Sequence, residues 1–271
     1  CEHFGLNPPG SDLINEKKIP NVVIGTIDSF AKVAGKGIEK MLKAAINVQV
    51  GILENECREI NKRFFTFHEK KRPFVILKWA ETSDGFIDID RTKKDFGEPT
   101  WITEEAALRR VHQMRAVEDA ILIGTNTVLK DNPSLTVRHC EGRNPIRIVI
   151  DNHLRLPKTL NIFDETVKTI VFNSAKNEES GNIEFIKIDF DKKLIQHILK
   201  NLYQRNIQSL IVEGGKQLLD SFIAANLWDE TYRFVGNKQF TNGIEAPKLS
   251  GDPIRSEKIE NDQLFVYKNN H

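Results

Sequence analysis

Short apolar runs alternate with longer amphipathic ones along almost the whole chain. Asn21-Val-Val-Ile-Gly-Thr-Ile27 is a compact run rich in β-branched residues, which predicts a buried strand. Ile38, Met41, Leu42 and Ala45 then recur at helical spacing behind Gly35 and Gly37, predicting a helix over 36–45. Val48–Leu53 repeats the strand pattern and 55–69 the helical one. Ahead of them, residues 1–20 open with a turn-rich stretch around Pro8 and Pro9. Strand–helix–strand–helix order implies parallel pairing with right-handed crossovers. The charged segment His68-Glu-Lys-Lys-Arg-Pro73 places a domain boundary at 70/71.

Beyond it the alternation continues. Strands are predicted over 74–80, 120–124, 146–150, 169–172, 183–188 and 209–213. Helices are predicted over 104–115, with Thr103 as cap, and over 192–205 and 216–225. Residues 81–99 read as a polar loop, and 230–235 with 263–267 as antiparallel strands at the end. The fold class is therefore α/β, with half of one domain in 1–70 and a complete second domain in 71–271. No internal repeat or low-complexity stretch is present.

Ligands of open α/β sheets bind beyond the carboxyl ends of the strands. Val212-Glu-Gly-Gly215 joins a strand to a helix there. Its glycines let a ligand approach the backbone, and the helix N-terminus favours a phosphate. The bland alternative is a tight strand–helix turn, and the sequence is not the G-x-G-x-x-G fingerprint. Glu213 could bind a hydroxyl or an amine, or form a structural ion pair. Arg115 and Arg138 could each grip a phosphate as planar bidentate donors, or be solvated surface arginines. Trp101 could stack on a cofactor ring, or fill a core. Cys57, in a predicted helix, reads as buried bulk.

Composition narrows the function classes. The chain has 271 residues, 39% apolar and 28% charged, with a net charge of +1. That balance excludes a nucleic-acid binder working through a broad basic face. No apolar run approaches the roughly 20 residues of a membrane helix, and no signal peptide is seen. Three scattered cysteines, Cys1, Cys57 and Cys140, argue against a disulfide framework and for a reducing cytoplasm. Cys1 and His3 form too small a set for zinc. The chain begins with Cys rather than Met, so an upstream segment is expected to be missing.

Taken in order, the segments Cys1-Glu-His-Phe-Gly-Leu-Asn-Pro-Pro9, Val33-Ala-Gly-Lys-Gly37, Arg72-Pro-Phe-Val-Ile-Leu-Lys78, Thr82-Ser-Asp-Gly85, Trp101-Ile-Thr103, Ile123-Gly-Thr-Asn-Thr-Val128, Asp131-Asn-Pro-Ser-Leu-Thr-Val-Arg138, Pro145-Ile-Arg-Ile-Val-Ile-Asp151 and Val212-Glu-Gly-Gly215 resemble the bifunctional riboflavin biosynthesis deaminase–reductases. The resemblance covers essentially the whole chain. It implies a C-terminal dihydrofolate-reductase-like domain preceded by the C-terminal half of a cytidine-deaminase-like α/β domain. It also implies NADPH-dependent reduction of the ribosyl group of 5-amino-6-(5-phosphoribosylamino)uracil to ribityl, by hydride delivery to C1′ of a ring-opened imine.

Residue roles follow from the same resemblance. The cofactor would contact Ala80, Trp101, Thr127, Asp131 and Asn152, with Gly214 and Gly215. The phosphoribosyl-pyrimidine substrate would contact Arg115, Leu135, Arg138 and Glu213. Lys78 and Asp131 are the candidates for polar groups at the reacting end, and Asp131→Asn is expected to cut turnover while NADPH still binds. The family's deaminase half holds zinc through His and two Cys, with a Glu as proton shuttle. Cys1 matches one ligand, and Gly10 stands where a second is expected. Zinc binding and deamination are therefore expected to be lost here. A small-molecule partner is expected, with neither nucleic acid nor membrane; a homodimer is compatible with the reading. The competing readings are a zinc-dependent pyrimidine deaminase seen as a fragment, and a non-catalytic nucleotide-binding module. A dihydrofolate reductase proper suits the paired arginines and Glu213 less well.

Overall fold

The computed structural model describes residues 8–29, 35–92 and 96–269. The chain folds as two compact units that divide between Arg72 and Pro73. The predicted boundary at 70/71 falls at the end of the last helix of the first unit.

The first unit runs α1 (Gly10–Glu16), β1 (Asn21–Ile24), α2 (Lys36–Lys43), β2 (Asn47–Val50), α3 (Glu54–Ile60) and α4 (Lys62–Lys70). β1 and β2 pair in parallel, from Asn21 opposite Asn47 to Ile24 opposite Val50. The turn-rich opening thus contains a short helix, which starts directly after Pro9. The helix predicted over 55–69 is two helices. Asn61 interrupts it, and its side-chain amide donates to the Cys57 carbonyl at 3.0 Å. An Asn that satisfies the preceding turn in this way competes with the helical ladder. Phe65, Thr66 and Phe67 of α4 are buried, whereas α3 buries no residue. Cys57 is half-buried rather than core; its sulfur lies where a side chain at position 25 would stand, so Gly25 is required. Several apolar residues of this unit are exposed, Ile60 by 80%.

The second unit continues with β3 (Phe74–Thr82), β4 (Phe86–Asp88), α5 (Glu105–Val117), β5 (Ala120–Gly124), α6 (Thr125–Asp131), β6 (Ile146–Ile150) and β7 (Thr169–Asn173). It ends with β8 (Glu178–Ser180), β9 (Ile183–Lys187), α7 (Leu194–Gln204), β10 (Ser209–Glu213), α8 (Lys216–Ala224), β11 (Glu230–Gly236), β12 (Ile244–Glu245), β13 (Arg255–Ile259) and β14 (Asp262–Lys268). Ten strands form one sheet in the order β13-β14-β11-β3-β10-β5-β6-β7-β9-β8. From β11 to β9 every pairing is parallel; β13, β14 and β8 add antiparallel edges.

Central strands buried on both faces read as near-continuous apolar runs. That is why β3, β5, β6, β7 and β10 are plain in the sequence. Val75, Leu77 and Trp79 share a core with Ile198 and Leu202 of α7 and Leu219 and Phe222 of α8. Ile121, Ile123, Val149 and Ile211 pack with Val128 of α6, and Phe234 packs with Ala107 and Val111 of α5. Side chains alternate along a strand. Lys78 therefore points away from the α7–α8 layer.

Four strands, β4, β8, β12 and β13, escape the pattern. β4 sits inside the predicted polar loop and pairs with β12. Its turn is built by polar groups: Thr82 Oγ1 accepts the Phe86 N–H at 3.0 Å, and Asp84 accepts the Thr241 N–H at 2.8 Å. β8 and β13 are almost wholly exposed edge strands, and β13 reads Arg-Ser-Glu-Lys-Ile. Charged edges of this kind block further strand addition. α5 begins one residue later than predicted, and its capping acceptor is not Thr103. Asp262 of β14 accepts the Glu104 N–H at 2.8 Å instead.

Candidate active site

The carboxyl ends of β3, β10, β5 and β6 open into a cavity of about 1340 Å³. A single small-molecule site occupies roughly 300–1,000 Å³, so this one has room for two ligands. Lys78, Ala80, Trp101, Arg115, Thr127, Asp131, Leu135, Arg138, Asn152, Glu213, Gly214 and Gly215 all line it. These residues come from strand ends, from α5 and α6, and from the loops between them.

At one end, Lys78 and Glu213 are register partners on adjacent strands. Arg115, from the last turn of α5, donates to Glu213 through Nε at 3.2 Å and Nη2 at 2.7 Å. Both side chains are 11% exposed. Burial alone would raise the Glu213 carboxyl. The charges of Arg115 and Lys78, with the Arg115 hydrogen bonds, override it and hold the group at about 2. Burial lowers Lys78 from the ordinary lysine range; Glu213 opposes that shift and Arg115 adds to it. The ion pair predicted as the bland alternative for Glu213 is thus present, inside the cavity.

His112, one turn before Arg115, is fully buried, yet sequence reasoning misses it. Its Nδ1 accepts the Arg138 N–H at 3.1 Å, and its ring meets His139 at 4.6 Å between centroids. Burial, then the charge of Arg115, lowers it to about 4, so it is neutral at physiological pH. It pins the segment that carries Arg138. The i, i+3 spacing of His112 and Arg115 is the signal that could have found it.

Leu135 is 3% exposed with φ +55°, a strained left-handed conformation for a leucine. The carbonyl before it is held by Arg147, another residue that sequence reasoning does not mark. Arg147 is fully buried and donates to Thr169 Oγ1, Asp164 Oδ1 and the carbonyls of Ser134, Asn161 and Val167. All five of its N–H donors are used.

Directly after Glu213 comes the two-glycine turn. Gly214 has φ +122°, and a Cβ there would stand 2.9 Å from Thr127 Oγ1. That same oxygen accepts the Gly215 N–H at 2.8 Å. α8 begins at the next residue, so its first N–H groups face the turn without intrahelical acceptors. For the dinucleotide that the resemblance implies, Gly214→Ala is expected to weaken binding by about tenfold, because strain of order 1–3 kcal/mol must be relieved by opening the Thr127 contact. Calorimetric titration would show it; unchanged affinity would mean that the turn takes no part in binding.

Asp131 meets a fourth group. Its carboxylate pairs with Arg91, which also donates to Asp88 Oδ2 at 3.0 Å and to the Glu98 carbonyl at 2.7 Å. The Gly97 N–H donates to the Lys130 carbonyl at 2.8 Å, and Thr100 Oγ1 to Asp88 at 3.0 Å. This network straps residues 96–100 to the end of α6, next to Trp101. Burial raises the Asp131 carboxyl while Arg91 opposes the rise. Trp101 is 52% exposed and lines the cavity rather than filling a core. Its carbonyl accepts Lys238 Nζ at 2.6 Å.

Comparison with known proteins decides the family. The RibD C-terminal domain profile matches residues 73–248. The riboflavin biosynthesis protein RibD of Aquifex aeolicus is 35% identical over 275 residues, covering 96% of this chain and 75% of that protein. The chain belongs to the RibD family. The RibD of Bacillus amyloliquefaciens is 34% identical, over 95% of this chain and 71% of its own length. A crystal structure from Thermotoga maritima, of a diaminohydroxyphosphoribosylaminopyrimidine deaminase/5-amino-6-(5-phosphoribosylamino)uracil reductase, superimposes with a TM-score of 0.87. It is 37% identical, covering 99% of this chain and 77% of that one. Acinetobacter baumannii RibD shares the fold, with a TM-score of 0.86 at 24% identity.

The second unit is therefore a RibD reductase-type domain of riboflavin biosynthesis with the dihydrofolate-reductase-like fold. The first unit carries the deaminase-related expectations. Cys1, the one zinc ligand matched from sequence, lies outside the described residues, as does His3. Gly10 opens α1 and has no side-chain donor to offer. Among the described residues, no group of three or more His, Cys, Asp or Glu is placed to hold a metal. Among them, too, no helix is long and apolar enough to cross a membrane.

Proposed function

We propose that the chain reduces the ribosyl group of 5-amino-6-(5-phosphoribosylamino)uracil to ribityl, using NADPH, and that it does not deaminate. The observation that carries the reading is the half-buried Lys78 beside the Glu213–Arg115 pair, at the end of a cavity large enough for cofactor and substrate together. The residues present suit a dinucleotide. The Gly214–Gly215 turn and the start of α8 line the cavity, where free helix N–H groups suit a pyrophosphate, and Asn152 Oδ1 is buried among described groups with no partner. NADPH, when bound, supplies a hydride.

The protein's own groups do the rest. Arg138 forms no ion pair among the described residues, and His112 fixes its backbone. It offers a planar guanidinium to the substrate phosphate. Arg115 is engaged by Glu213, so it orders that carboxylate for the sugar hydroxyls rather than acting as a second free anchor. Lys78 donates a proton to the sugar oxygen released as the ring opens to the imine. Asp131 holds Arg91, and through it the strap beside Trp101; this orders the cofactor's wall. Holding the two reactants in contact supplies much of the rate.

The deaminase proposal rests on Gly10. Zinc in this family's signature needs a second cysteine thiolate, and glycine provides none, so no step is assigned to the first unit.

The test is NADPH oxidation with the deaminated substrate. Steady consumption is expected, and Arg138→Ala should raise KM by about 10- to 100-fold, the worth of charge-assisted bonds to one phosphate. Binding of NADPH without turnover would defeat the proposal in favour of a non-catalytic binding module.

A further inference from the structure

The end of β11 carries a glycine that its own backbone does not call for. Gly236 is the last residue of that strand, buried, in register with Thr82 of β3, and it has no positive φ. A glycine within ordinary strand geometry weakens the strand and marks a place where another backbone comes close. Here that backbone is Ile102. A Cβ at position 236 would stand 2.5 Å from the Ile102 carbonyl oxygen, 3.0 Å from its carbon and 3.1 Å from Ile102 Cγ2. Two of those three atoms are backbone, so no rotamer change relieves the contact. Side chains alternate along a strand, so position 236 faces the same side as Phe234, which packs with α5.

Ile102 directly follows Trp101, and the stretch they share is tied at several points. Ahead of it, the Gly97 N–H donates to the Lys130 carbonyl and Thr100 Oγ1 to Asp88. Behind it, the Glu104 N–H donates to Asp262. Between these ties, Lys238 Nζ donates to the Trp101 carbonyl at 2.6 Å. Lys238 is itself anchored: its carbonyl accepts the Ser83 N–H at 2.9 Å and the Ser83 hydroxyl at 3.1 Å. None of these contacts uses the indole. Ile102 is 5% exposed, whereas the neighbouring Trp101 stands open on the cavity wall. The place of the ring is thus set through its backbone, which rests on Gly236 and is held by Lys238. Both residues stand outside the cavity lining.

We propose that Gly236 and Lys238 are positioning residues for the cofactor: Gly236 seats the Ile102 backbone, Lys238 holds the Trp101 carbonyl, and together they fix where the Trp101 ring meets the dinucleotide. The inference rests on the reading that this cavity takes NADPH against Trp101. It assigns the end of β11, which touches neither reactant, a part in cofactor binding. An alanine at 236 makes the mechanism concrete. To reach an ordinary contact of 3.4 Å, the Ile102 carbonyl must retreat by about 0.9 Å. The ties on either side of the stretch leave Trp101 to move with it.

The experiment titrates the full chain, Gly236→Ala, Lys238→Met and Lys238→Arg with NADPH, and reads iodide quenching of tryptophan fluorescence at saturation. Trp79 and Trp228 are buried and Trp101 is open, so iodide reports Trp101; Trp101→Phe confirms the assignment. Bound NADPH should shield the parent from iodide. Gly236→Ala should raise the Kd of NADPH about tenfold, the order of an overpacked contact relieved by moving the wall. It should also lose at least half of the shielding at saturation and turn over about 100-fold more slowly. Lys238→Met, an exposed change that leaves the fold intact, should raise the Kd about two- to fivefold, and Lys238→Arg should restore it. Urea unfolding gives the folded fraction of each variant. Variants that lose stability alone, with Kd and shielding as in the parent, would overturn the proposal and leave the end of β11 a structural element. A parent that binds NADPH with Trp101 still open to iodide would overturn it while the dinucleotide reading survives. Failure of the parent to bind NADPH would overturn both.

Discussion

Replacing Lys78 by Met is expected to lower kcat by about 100- to 10,000-fold, the span of a lost general acid, with NADPH affinity nearly unchanged. Lys78 is the one charged residue in the apolar run of β3, and it faces the cavity next to Glu213. Its ammonium is held below the ordinary lysine range by burial, with Arg115 adding to the shift and Glu213 opposing it. A donor must be protonated to act, so the rate should fall as pH rises through this depressed value, well before a free lysine would titrate. The variant should lose that alkaline limb along with its rate. Single-turnover hydride transfer at saturating cofactor and substrate, followed across pH, measures both effects. A kcat within threefold of the parent, or an alkaline limb that persists in the variant, would remove Lys78 from the proton-transfer step.

Glu213→Gln is expected to cost the fold roughly 3 kcal/mol at neutral pH as well as impairing turnover. The substitution keeps the volume but leaves Arg115 and Lys78 facing each other without a counter-charge. The sign of the pH dependence follows from the depressed carboxyl. Glu213 sits at about 2 when folded, against an ordinary 4.5. Its contribution is complete above 4.5 and is lost as pH falls toward 2. Urea unfolding should therefore separate parent and variant widely at pH 7 and much less at pH 3. A gap that stays constant over that range would show that the carboxylate charge is not what stabilises the parent. The same variant leaves Lys78 without its favourable neighbour, so its ammonium should titrate at still lower pH.

Much of this was legible in the chain because burial writes itself as apolar runs. The strands from Phe74, Ala120, Ile146 and Ser209 had to be central, and their carboxyl ends located the cavity. Gly214 and Gly215 marked the close approach, and Lys78 entered only as a candidate polar group at the reacting end. What the sequence withheld depends on pairing at a distance. Arg115 and Glu213 lie 98 positions apart, so Arg115 read as a phosphate ligand or a surface arginine, and Glu213 as a binder of a hydroxyl or amine or as half of an ion pair whose partner was not named. Asp131 read as a cofactor contact and a candidate group at the reacting end; its pairing with Arg91, from the segment before Trp101, was not visible. β13 carries no apolar pattern because it is an exposed edge, and it exists through its ladder with β14. The break at Asn61 turned on one side-chain amide, which composition does not show.

The place of β3 has a consequence for how the molecule is made. Its neighbours on either side, β10 and β11, come from the last third of the chain; the Val75 N–H reaches its acceptor, Asp229, across 154 positions. At roughly 5–20 residues per second, the ribosome leaves β3 without either partner for on the order of ten seconds. During that interval an almost wholly apolar ribbon has both hydrogen-bonding edges open to other chains. Biogenesis, rather than the finished fold, is then the vulnerable period: yield in the cell should depend on chaperone capacity more steeply than the resistance of the completed protein to denaturant would suggest.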